Sequence, residues 1–229
     1  MTGMLASVNS VAEALLVLSA NVDIIDLKQP ASGALGALDI DLVKQIIAEI
    51  NGRCPVSATI GDLPMQPDRV FNAVKTLAET GVDYIKIGFF PDGDWLATVN
   101  KLSVFSQQNI AMIAVLFADS QPDFTIMDSL KEAGFTGVML DTMDKQSGSL
   151  MQVMEKTEIG QFVRLAKARQ LLCGLAGSLK PEDISGLLPY QPDYLGFRGG
   201  LCLQHNRTGQ LNKASIMLIK QAIQDAVSA

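Results

Sequence analysis

Lysine and aspartate residues lie at the ends of three short apolar segments of this chain. The segments end in Asp26-Leu-Lys28, in Lys86-Ile-Gly88 and in Asp141-Thr-Met-Asp-Lys145. A strand that only packs needs no charge at its end, because charged groups are costly to bury unless they are paired or used. A lysine amine attacks carbonyl carbons to form an imine, and a nearby carboxylate moves protons. The pattern therefore predicts carbonyl chemistry at a lysine.

Imine formation requires a neutral lysine amine. An unperturbed lysine, with a pKa of about 10.4, is neutral in only about one molecule in 2,500 at pH 7. Burial and neighbouring cations lower that pKa. Lys86 or Lys145 would supply the cation beside Lys28, and Asp26 or Asp141 would act as general acid or base. The alternative is a set of buried ion pairs that only neutralise one another, but the repetition on three segments favours a catalytic site.

The elements that must position these residues form a repeating pattern. Apolar runs of strand length alternate with amphipathic helical stretches, and the runs resemble parallel strands covered on both faces. Eight such units in 229 residues predict an α/β fold, a single (β/α)8 TIM barrel forming one domain over residues 1–229. A doubly wound open sheet usually carries a glycine fingerprint after its first strand, and Val8-Asn-Ser-Val has none. The predicted strands are 3–8, 22–28, 55–60, 83–89, 110–118, 137–143, 172–177 and 194–199.

Side-chain alternation along the strands predicts where the charges meet. Asp26 and Lys28 share one face of the second strand, opposite an apolar face, and Lys86 and Asp141 lie on the charged faces of the fourth and sixth strands. The apolar faces suit the helices, so the charged faces belong in the barrel. The four side chains should meet near its C-terminal mouth, where Lys145 follows.

Glycine-rich turns after the last two strands suggest a phosphate site. Those strands end in Gly174-Leu-Ala-Gly177-Ser178-Leu-Lys180 and in Gly196-Phe-Arg198-Gly199-Gly200. Barrels often bind phosphate at these two loops through backbone N–H groups. Ordinary tight turns are the alternative. The candidate substrate and phosphate ligands are Gly177, Ser178, Arg198, Gly199 and Gly200.

Composition narrows the classes of partner. The chain is 48% hydrophobic, carries a formal net charge of -6 and has no block of basic residues, so a nucleic acid is not expected. A single histidine excludes a multi-histidine metal site, and we expect no metal and no cofactor. Three scattered cysteines fit a reducing, cytoplasmic location, and no run is long enough for a membrane span. The carbonyl chemistry and the phosphate site predicted above together favour a small phosphorylated aldehyde as the partner. Assembly into a homo-oligomer is left open, and the polar connection 144–160 is a candidate lid.

An ordered set of motifs covers nearly the whole chain and resembles one family. The motifs are Asp26-Leu-Lys28-Gln-Pro followed by Gly-Ala-Leu-Gly36, Val56-Ser-Ala-Thr-Ile-Gly61-Asp62-Leu-Pro64, Asp-Tyr-Ile-Lys86-Ile-Gly88, Met-Leu-Asp141-Thr-Met-Asp-Lys145, Leu175-Ala-Gly-Ser178-Leu-Lys and Gly-Phe-Arg198-Gly. Together they resemble the (5-formylfuran-3-yl)methyl phosphate synthase family. No single motif is decisive, but their order is specific.

The resemblance implies a (β/α)8 barrel related in mechanism to class I aldolases. Two molecules of glyceraldehyde 3-phosphate would condense into 4-(hydroxymethyl)-2-furancarboxaldehyde phosphate, a precursor of methanofuran, with loss of phosphate and water. Carried over by position, Lys28 is the implied Schiff-base lysine. Arg207 is a further candidate for gripping the substrate. The implied acid/base and substrate-positioning groups are Asp26, Lys86, Asp141 and Lys145.

Two other functions fit the same residues. One is a different class I aldolase or isomerase, which would keep the imine but release a sugar phosphate. The other is a non-catalytic barrel that binds a phosphorylated metabolite and uses its lysines as phosphate clamps.

Overall fold

Eight parallel strands close into a barrel in the computed structural model, which describes residues 2–225. Each strand pairs with the next along the chain, and β8 pairs with β1. The strands are β1 Gly3–Val8, β2 Ile24–Leu27, β3 Val56–Thr59, β4 Tyr84–Phe89, β5 Ala111–Phe117, β6 Gly137–Asp141, β7 Leu172–Leu175 and β8 Tyr194–Phe197. This is the predicted TIM barrel.

Helices connect the strands on the outside of the barrel. The α-helices of the described part of the chain are α1 Val11–Ser19, α2 Ile40–Ile50, α3 Pro67–Ala78, α4 Trp95–Ser106, α5 Ile126–Glu132, α6 Leu150–Val153, α7 Lys156–Ala168, α8 Pro181–Leu187 and α9 Lys213–Asp225. Short 3-10 helices cover Ala118–Ser120, Leu188–Tyr190, Gly199–Leu201 and Leu203–His205.

Local sequence signals explain where the helices begin. Ser10, Asp39 and Asp94 accept backbone N–H groups at the starts of α1, α2 and α4, and Asn212 does the same before α9. Pro67 occupies the first turn of α3, where its missing N–H leaves no hydrogen bond unmade. These caps fix where each loop ends, and therefore how much chain lies over the barrel mouth.

The strands separate two apolar layers, as the side-chain alternation predicts. Ile25 and Ile85 face the helices in the large outer core. The opposite faces contribute Leu5, Val115 and Met139 to a smaller cluster inside the barrel. The charged positions of β2, β4 and β6 share this inner side, because successive side chains of a strand alternate between faces.

The predicted strands are confirmed, with ends that differ by a few residues, but the predicted loop at 144–160 is wrong. α6 and α7 begin within that segment. Ser149 with Gln152, and Glu155 with Glu158, form capping boxes that start the two helices. Asp119 further anchors the start of the segment by accepting the N–H groups of 143 and 144. The candidate lid is therefore largely helical.

A single domain over 1–229 stays a prediction, and residues 1 and 226–229 of that range lie outside the described residues. Among residues 2–225, no helix has the length and apolar character needed to cross a membrane.

Candidate active site

A cavity of about 300 Å³ opens at the C-terminal mouth of the barrel. It brings together nearly all the residues singled out in the sequence. Of the predicted catalytic residues, those that line it are Lys28, Lys86, Asp141 and Lys145. All five predicted phosphate ligands line it as well: Gly177, Ser178, Arg198, Gly199 and Gly200. Asp26 is fully buried just behind Lys86.

The Asp26 carboxylate is held by three donors, which lie on β1, β3 and β4. Ser7, Asp26 and Ser57 are register partners on β1, β2 and β3. The Ser7 hydroxyl donates to Oδ2 of Asp26 at 2.8 Å, and the Ser57 hydroxyl donates to Oδ1 at 2.7 Å. The Lys86 ammonium donates to the same Oδ1 at 2.9 Å. Asp26 is therefore engaged on both oxygens, and it neutralises Lys86, a side chain that is 1% exposed.

Asp141, at the end of β6, joins two lysines. The Lys28 ammonium donates to its Oδ2 at 3.3 Å, and the Lys145 ammonium donates to its Oδ1 at 2.5 Å. Lys145 also donates to the carbonyl of Thr142, so the turn after β6 folds back over the mouth. The backbone N–H of Thr142 donates to Oδ1 at 2.8 Å and fixes the carboxylate.

The charges of the cavity shift one another's proton affinity. Burial, followed by repulsion from Lys145 and Lys86, lowers the pKa of Lys28 to about 8, although Asp141 attracts its charge. A lysine with that pKa is neutral in about a tenth of molecules at pH 7. Burial opposes the ionisation of Asp141, but Lys145 and Lys28 outweigh it and hold the pKa of that carboxyl well below its usual range. Lys86 and Lys28 likewise outweigh burial and lower the pKa of Asp26.

The loop between β2 and α2 closes the other half of the mouth. Leu35 is fully buried among the inner apolar side chains with Phe117, and Phe90 packs against them. Asp62 holds this loop by accepting the N–H groups of Ala34 and Leu35, both at 2.7 Å. The cavity is thus lined mainly from the side of the mouth formed by β6, β7, β8 and β1, and Lys28 and Lys86 reach it from the end of β2 and from β4.

The turn after β7 approaches the turn after β6 closely. Gly177 has φ of +108°, and a Cβ there would lie 2.8 Å from the Thr142 side chain. Ser178 takes a left-handed conformation with φ of 47°, which is uncommon for a residue with a side chain. Its hydroxyl lies 3.4 Å from the Lys145 carbonyl. The backbone of this turn is therefore in close contact with the loop that carries Thr142 and Lys145.

Arg198 is occupied by the protein itself. Its guanidinium donates to both oxygens of Glu13, at 2.5 and 3.2 Å. It also donates to the carbonyls of Ser7, Arg207 and Gly209. A guanidinium has five N–H donors, and all five have acceptors here. Arg198 thus holds the segment after β8 in place and keeps no N–H group for a phosphate.

Sequence reasoning missed four residues that shape this site: Ser7, Ser57, Glu13 and Asp62. Ser7 and Ser57 carried a usable signal, since each is a polar residue at an inward position of an otherwise apolar strand. Glu13 and Asp62 lie on α1 and in the loop after β3, and no local pattern connects them to their distant partners. Among the described residues, no cluster of three or more His, Cys, Asp and Glu side chains is suited to a metal ion.

Comparison with known proteins relates the whole barrel to one family. The model of a family described as 4-HFC-P synthase matches residues 4–220. A relative from Methylorubrum extorquens is 38% identical over 96% of this chain and 91% of its own length. The (5-formylfuran-3-yl)methyl phosphate synthase of Methanosarcina mazei is 33% identical over 83% of this chain and 86% of its own length.

A solved structure shares the fold at much lower identity. The crystal structure of 3-hexulose-6-phosphate synthase from Salmonella typhimurium superposes with a TM-score of 0.72 and 14% identity. It covers 98% of this chain and 100% of that protein. This likeness establishes the barrel alone.

Proposed function

The chain belongs to the 4-HFC-P synthase family, and from that premise we propose that it condenses two molecules of glyceraldehyde 3-phosphate through a Schiff base on Lys28. The product would be (5-formylfuran-3-yl)methyl phosphate. One phosphate and two water molecules leave, which balances the atoms of two triose phosphates against the furan. The enzyme would then be a lyase of methanofuran-type cofactor biosynthesis.

The observation that carries this proposal is the state of the Lys28 amine. Lys28 is buried, lines the cavity and has a pKa lowered to about 8 by burial and by Lys145 and Lys86. Such an amine is a nucleophile at neutral pH, whereas an exposed lysine is almost wholly protonated. A lysine that served only as a phosphate clamp would gain nothing from a lowered pKa.

Proton transfer in this proposal belongs to Asp141 and Lys145. After the Lys28 imine forms, a proton must leave the adjacent carbon to give the enamine that attacks the second aldehyde. Asp141 contacts Lys28 and lines the cavity, whereas Asp26 is buried behind Lys86, so Asp141 is the carboxylate placed to accept that proton. Lys145 donates to Asp141 and suits the return of protons to leaving oxygen atoms.

Asp26 has a different role in this proposal. Both of its oxygens are taken by Ser7, Ser57 and Lys86, and its pKa is lowered, so it is a poor proton donor. It pairs with the Lys86 ammonium and fixes that side chain in the cavity wall. The Lys86 charge in turn disfavours protonation of Lys28.

Phosphate binding falls to the turns after β7 and β8, with Gly177, Ser178, Gly199 and Gly200 as backbone donors. Within the described residues, none of these four N–H groups has a protein acceptor. All four residues line the cavity. Free N–H groups on glycine-rich turns suit an anion. A cytoplasmic location and assembly into a homo-oligomer stay predictions.

Borohydride trapping tests the proposal directly. The protein is incubated with glyceraldehyde 3-phosphate and borohydride, and its peptides are mapped by mass spectrometry. We expect a reduced triose adduct on Lys28 and a furan ultraviolet absorbance in the untrapped reaction. An adduct without furan would favour another class I aldolase. No adduct, with turnover retained by Lys28→Ala, would overturn the Schiff-base mechanism.

A further inference from the structure

Six cationic side chains line the cavity, and their ion pairs divide them into two groups. The six are Lys28, Lys86, Lys145, Lys180, Arg198 and Arg207. Asp141 pairs with Lys28 and Lys145, Asp26 pairs with Lys86, and Glu13 pairs with Arg198. In residues 2–225, no carboxylate lies within ion-pair distance of Lys180 or Arg207.

Two acidic residues close to these cations are bound to other groups. Asp183, three residues after Lys180, accepts the backbone N–H of Lys180 at 2.9 Å and the Ser149 hydroxyl at 3.2 Å. Asp62 lies across the mouth near Arg207 but accepts the two N–H groups of the β2 loop. Neither carboxylate is directed at the free cation beside it. Both cations are therefore available to a ligand.

We propose that this cavity has two separate anion subsites, each for one phosphate monoester. Lys180 is the cationic ligand of one subsite and Arg207 is that of the other. The inference deepens the proposed function, because it assigns one cation to each of the two triose phosphates. Neither residue belongs to the catalytic group around Asp141. Lys180 and Arg207 bind and position substrate in this scheme, and they carry no proton.

Each cation lines the cavity together with free backbone donors. Lys180 follows the Gly177-Ser178 turn, whose N–H groups have no protein acceptor in the described chain. The Cβ of Arg207 lies beside Gly199, since a Cβ built on Gly199 would be 3.8 Å from it. The N–H groups of 199 and 200 are likewise free. A cation combined with two or more N–H donors is a typical phosphate site.

The two cations belong to different sides of the cavity. Arg207 donates to the carbonyl of Gly33 at 3.0 Å, so it lies against the loop that follows Lys28. Lys180 starts α8, whose Asp183 contacts Ser149 at the start of α6. One cation therefore belongs to the β2 side of the mouth and the other to the β6–β7 side. Two sides allow two ligands at once.

The net charge of the cavity fits two phosphate monoesters. Six cations against the carboxylates of Asp26, Asp141 and Glu13 leave an excess of three positive charges, in a chain whose net charge is -6. A phosphate monoester carries about -1.5 to -2 charges at pH 7. Two of them bring about -3 to -4. One monoester would leave the cavity positively charged.

Calorimetric titration with glycerol 3-phosphate tests the two subsites without any imine chemistry, because this ester has no carbonyl group. We expect two molecules per chain for the unaltered protein. Lys180→Gln and Arg207→Gln should each retain one molecule and raise the dissociation constant of the other at least tenfold. The double variant should bind none. Lys44→Gln and Arg69→Gln, on the exposed faces of α2 and α3, are matched controls that should bind two.

Conservative variants separate a binding role from a structural one. Lys180→Arg and Arg207→Lys should restore most of the affinity that the glutamine variants lose, with unfolding temperatures unchanged throughout. A stoichiometry of one in the unaltered protein, or loss of all binding in either single variant, would overturn the two-subsite assignment. Failure of the proposed function would look different: two molecules of glycerol 3-phosphate would bind, but no adduct would form on Lys28.

Discussion

Lys28 places its ammonium nitrogen 3.3 Å from Oδ2 of Asp141, a carboxylate whose other oxygen is bound by Lys145. One aspartate thus serves two lysines, and the attraction it offers Lys28 does not cancel burial and the two nearby cations. The pKa of Lys28 is therefore lowered, and the aspartate next to it stays ionised. In the proposed mechanism, Lys28 is the nucleophile and Asp141 is the base.

The rate of imine formation should follow the lowered pKa of Lys28. Below a pKa of about 8, the neutral fraction grows nearly tenfold for each pH unit, and above it the fraction levels off. We expect borohydride trapping at Lys28 to rise with pH in this way between about 6 and 9. The measurement is the initial rate of adduct formation by peptide mass mapping. A rate that still rises tenfold per unit at pH 9.5 would show an unperturbed lysine.

Lys28→Met should make the protein more stable at neutral pH. The pKa of Lys28 is about 8 when folded and about 10.5 when unfolded, so the unfolded state binds more protons between these values and stability rises with pH across them. Below pH 8, Lys28 is charged in the folded protein and lowers the free energy of unfolding by the full amount that corresponds to its pKa shift. Its removal should stabilise by about 1 to 3 kcal/mol, because a shift of one pKa unit corresponds to about 1.4 kcal/mol.

The pH dependence distinguishes this effect from simple repacking. The gain of Lys28→Met over the unaltered protein should be full at pH 7 and should shrink as the pH approaches 10.5. Chemical denaturation of both proteins at several pH values measures it. Lys44→Met, at an exposed position on α2, is the control and should change stability little at any pH. A gain independent of pH would point to packing instead.

Asp26→Asn should strongly destabilise the fold and abolish activity. The substitution removes the only ion-pair partner of Lys86 in the described chain and leaves a buried ammonium group unpaired. Breaking a buried pair in this way costs about 3 to 5 kcal/mol. Asp128→Asn is a matched control, because its pair with Arg169 lies at the surface, where an ion pair contributes little to stability. Denaturant unfolding compares the two variants.

Acidification should destabilise the fold by protonating the buried carboxylates of Asp26 and Asp141. The pKa values of Asp26 and Asp141 are lowered in the folded protein, so their contribution to stability is full above the ordinary pKa of 3.8 and is lost as the pH falls through the lower folded values. Asp26→Asn should therefore lose less stability than the unaltered protein between pH 4 and pH 2. An equal loss in both would exclude a contribution from Asp26.

The sequence predicts the barrel and the meeting of its charges for the same reason. Side chains of a strand alternate, so an apolar set on one face leaves Lys28, Lys86 and Asp141 on the other. A closed parallel barrel then carries all strand ends to one rim. The lowered pKa of Lys28 follows from that convergence, because both burial and nearby cations arise from it.

Side-chain alternation does not predict contacts between residues that are distant in the sequence. Glu13 pairs with Arg198 across 185 positions of sequence, and no spacing rule identifies it. Arg198 is predicted as a phosphate ligand because its strand position faces inward. The direction of a side chain does not show whether protein acceptors already bind its N–H groups, as they do here. The prediction of a loop at 144–160 was wrong because two polar residues in this segment are helix caps. Ser149 and Glu155 start α6 and α7.

Arg198→Lys should weaken phosphate binding by loosening the segment after β8. Lysine offers three donors in place of five, so at least two of the five acceptors that Arg198 satisfies lose their donor; these acceptors are the two Glu13 oxygens and the carbonyls of Ser7, Arg207 and Gly209. We expect a loss of about 1 to 3 kcal/mol in unfolding free energy, the range for an unsatisfied buried group. The affinity for glycerol 3-phosphate should fall, because the free N–H groups of 199 and 200 lose their fixed position.

Unphosphorylated glyceraldehyde provides the second readout for Arg198→Lys. Trapping of this aldehyde on Lys28 needs no phosphate contact, so its rate should match that of the unaltered protein. Arg169→Lys, in a partly exposed pair just after α7, controls for the substitution itself and should leave both readouts unchanged. If Arg198→Lys instead binds glycerol 3-phosphate normally and slows the trapping of glyceraldehyde, Arg198 acts on the lysine chemistry and not on the phosphate segment.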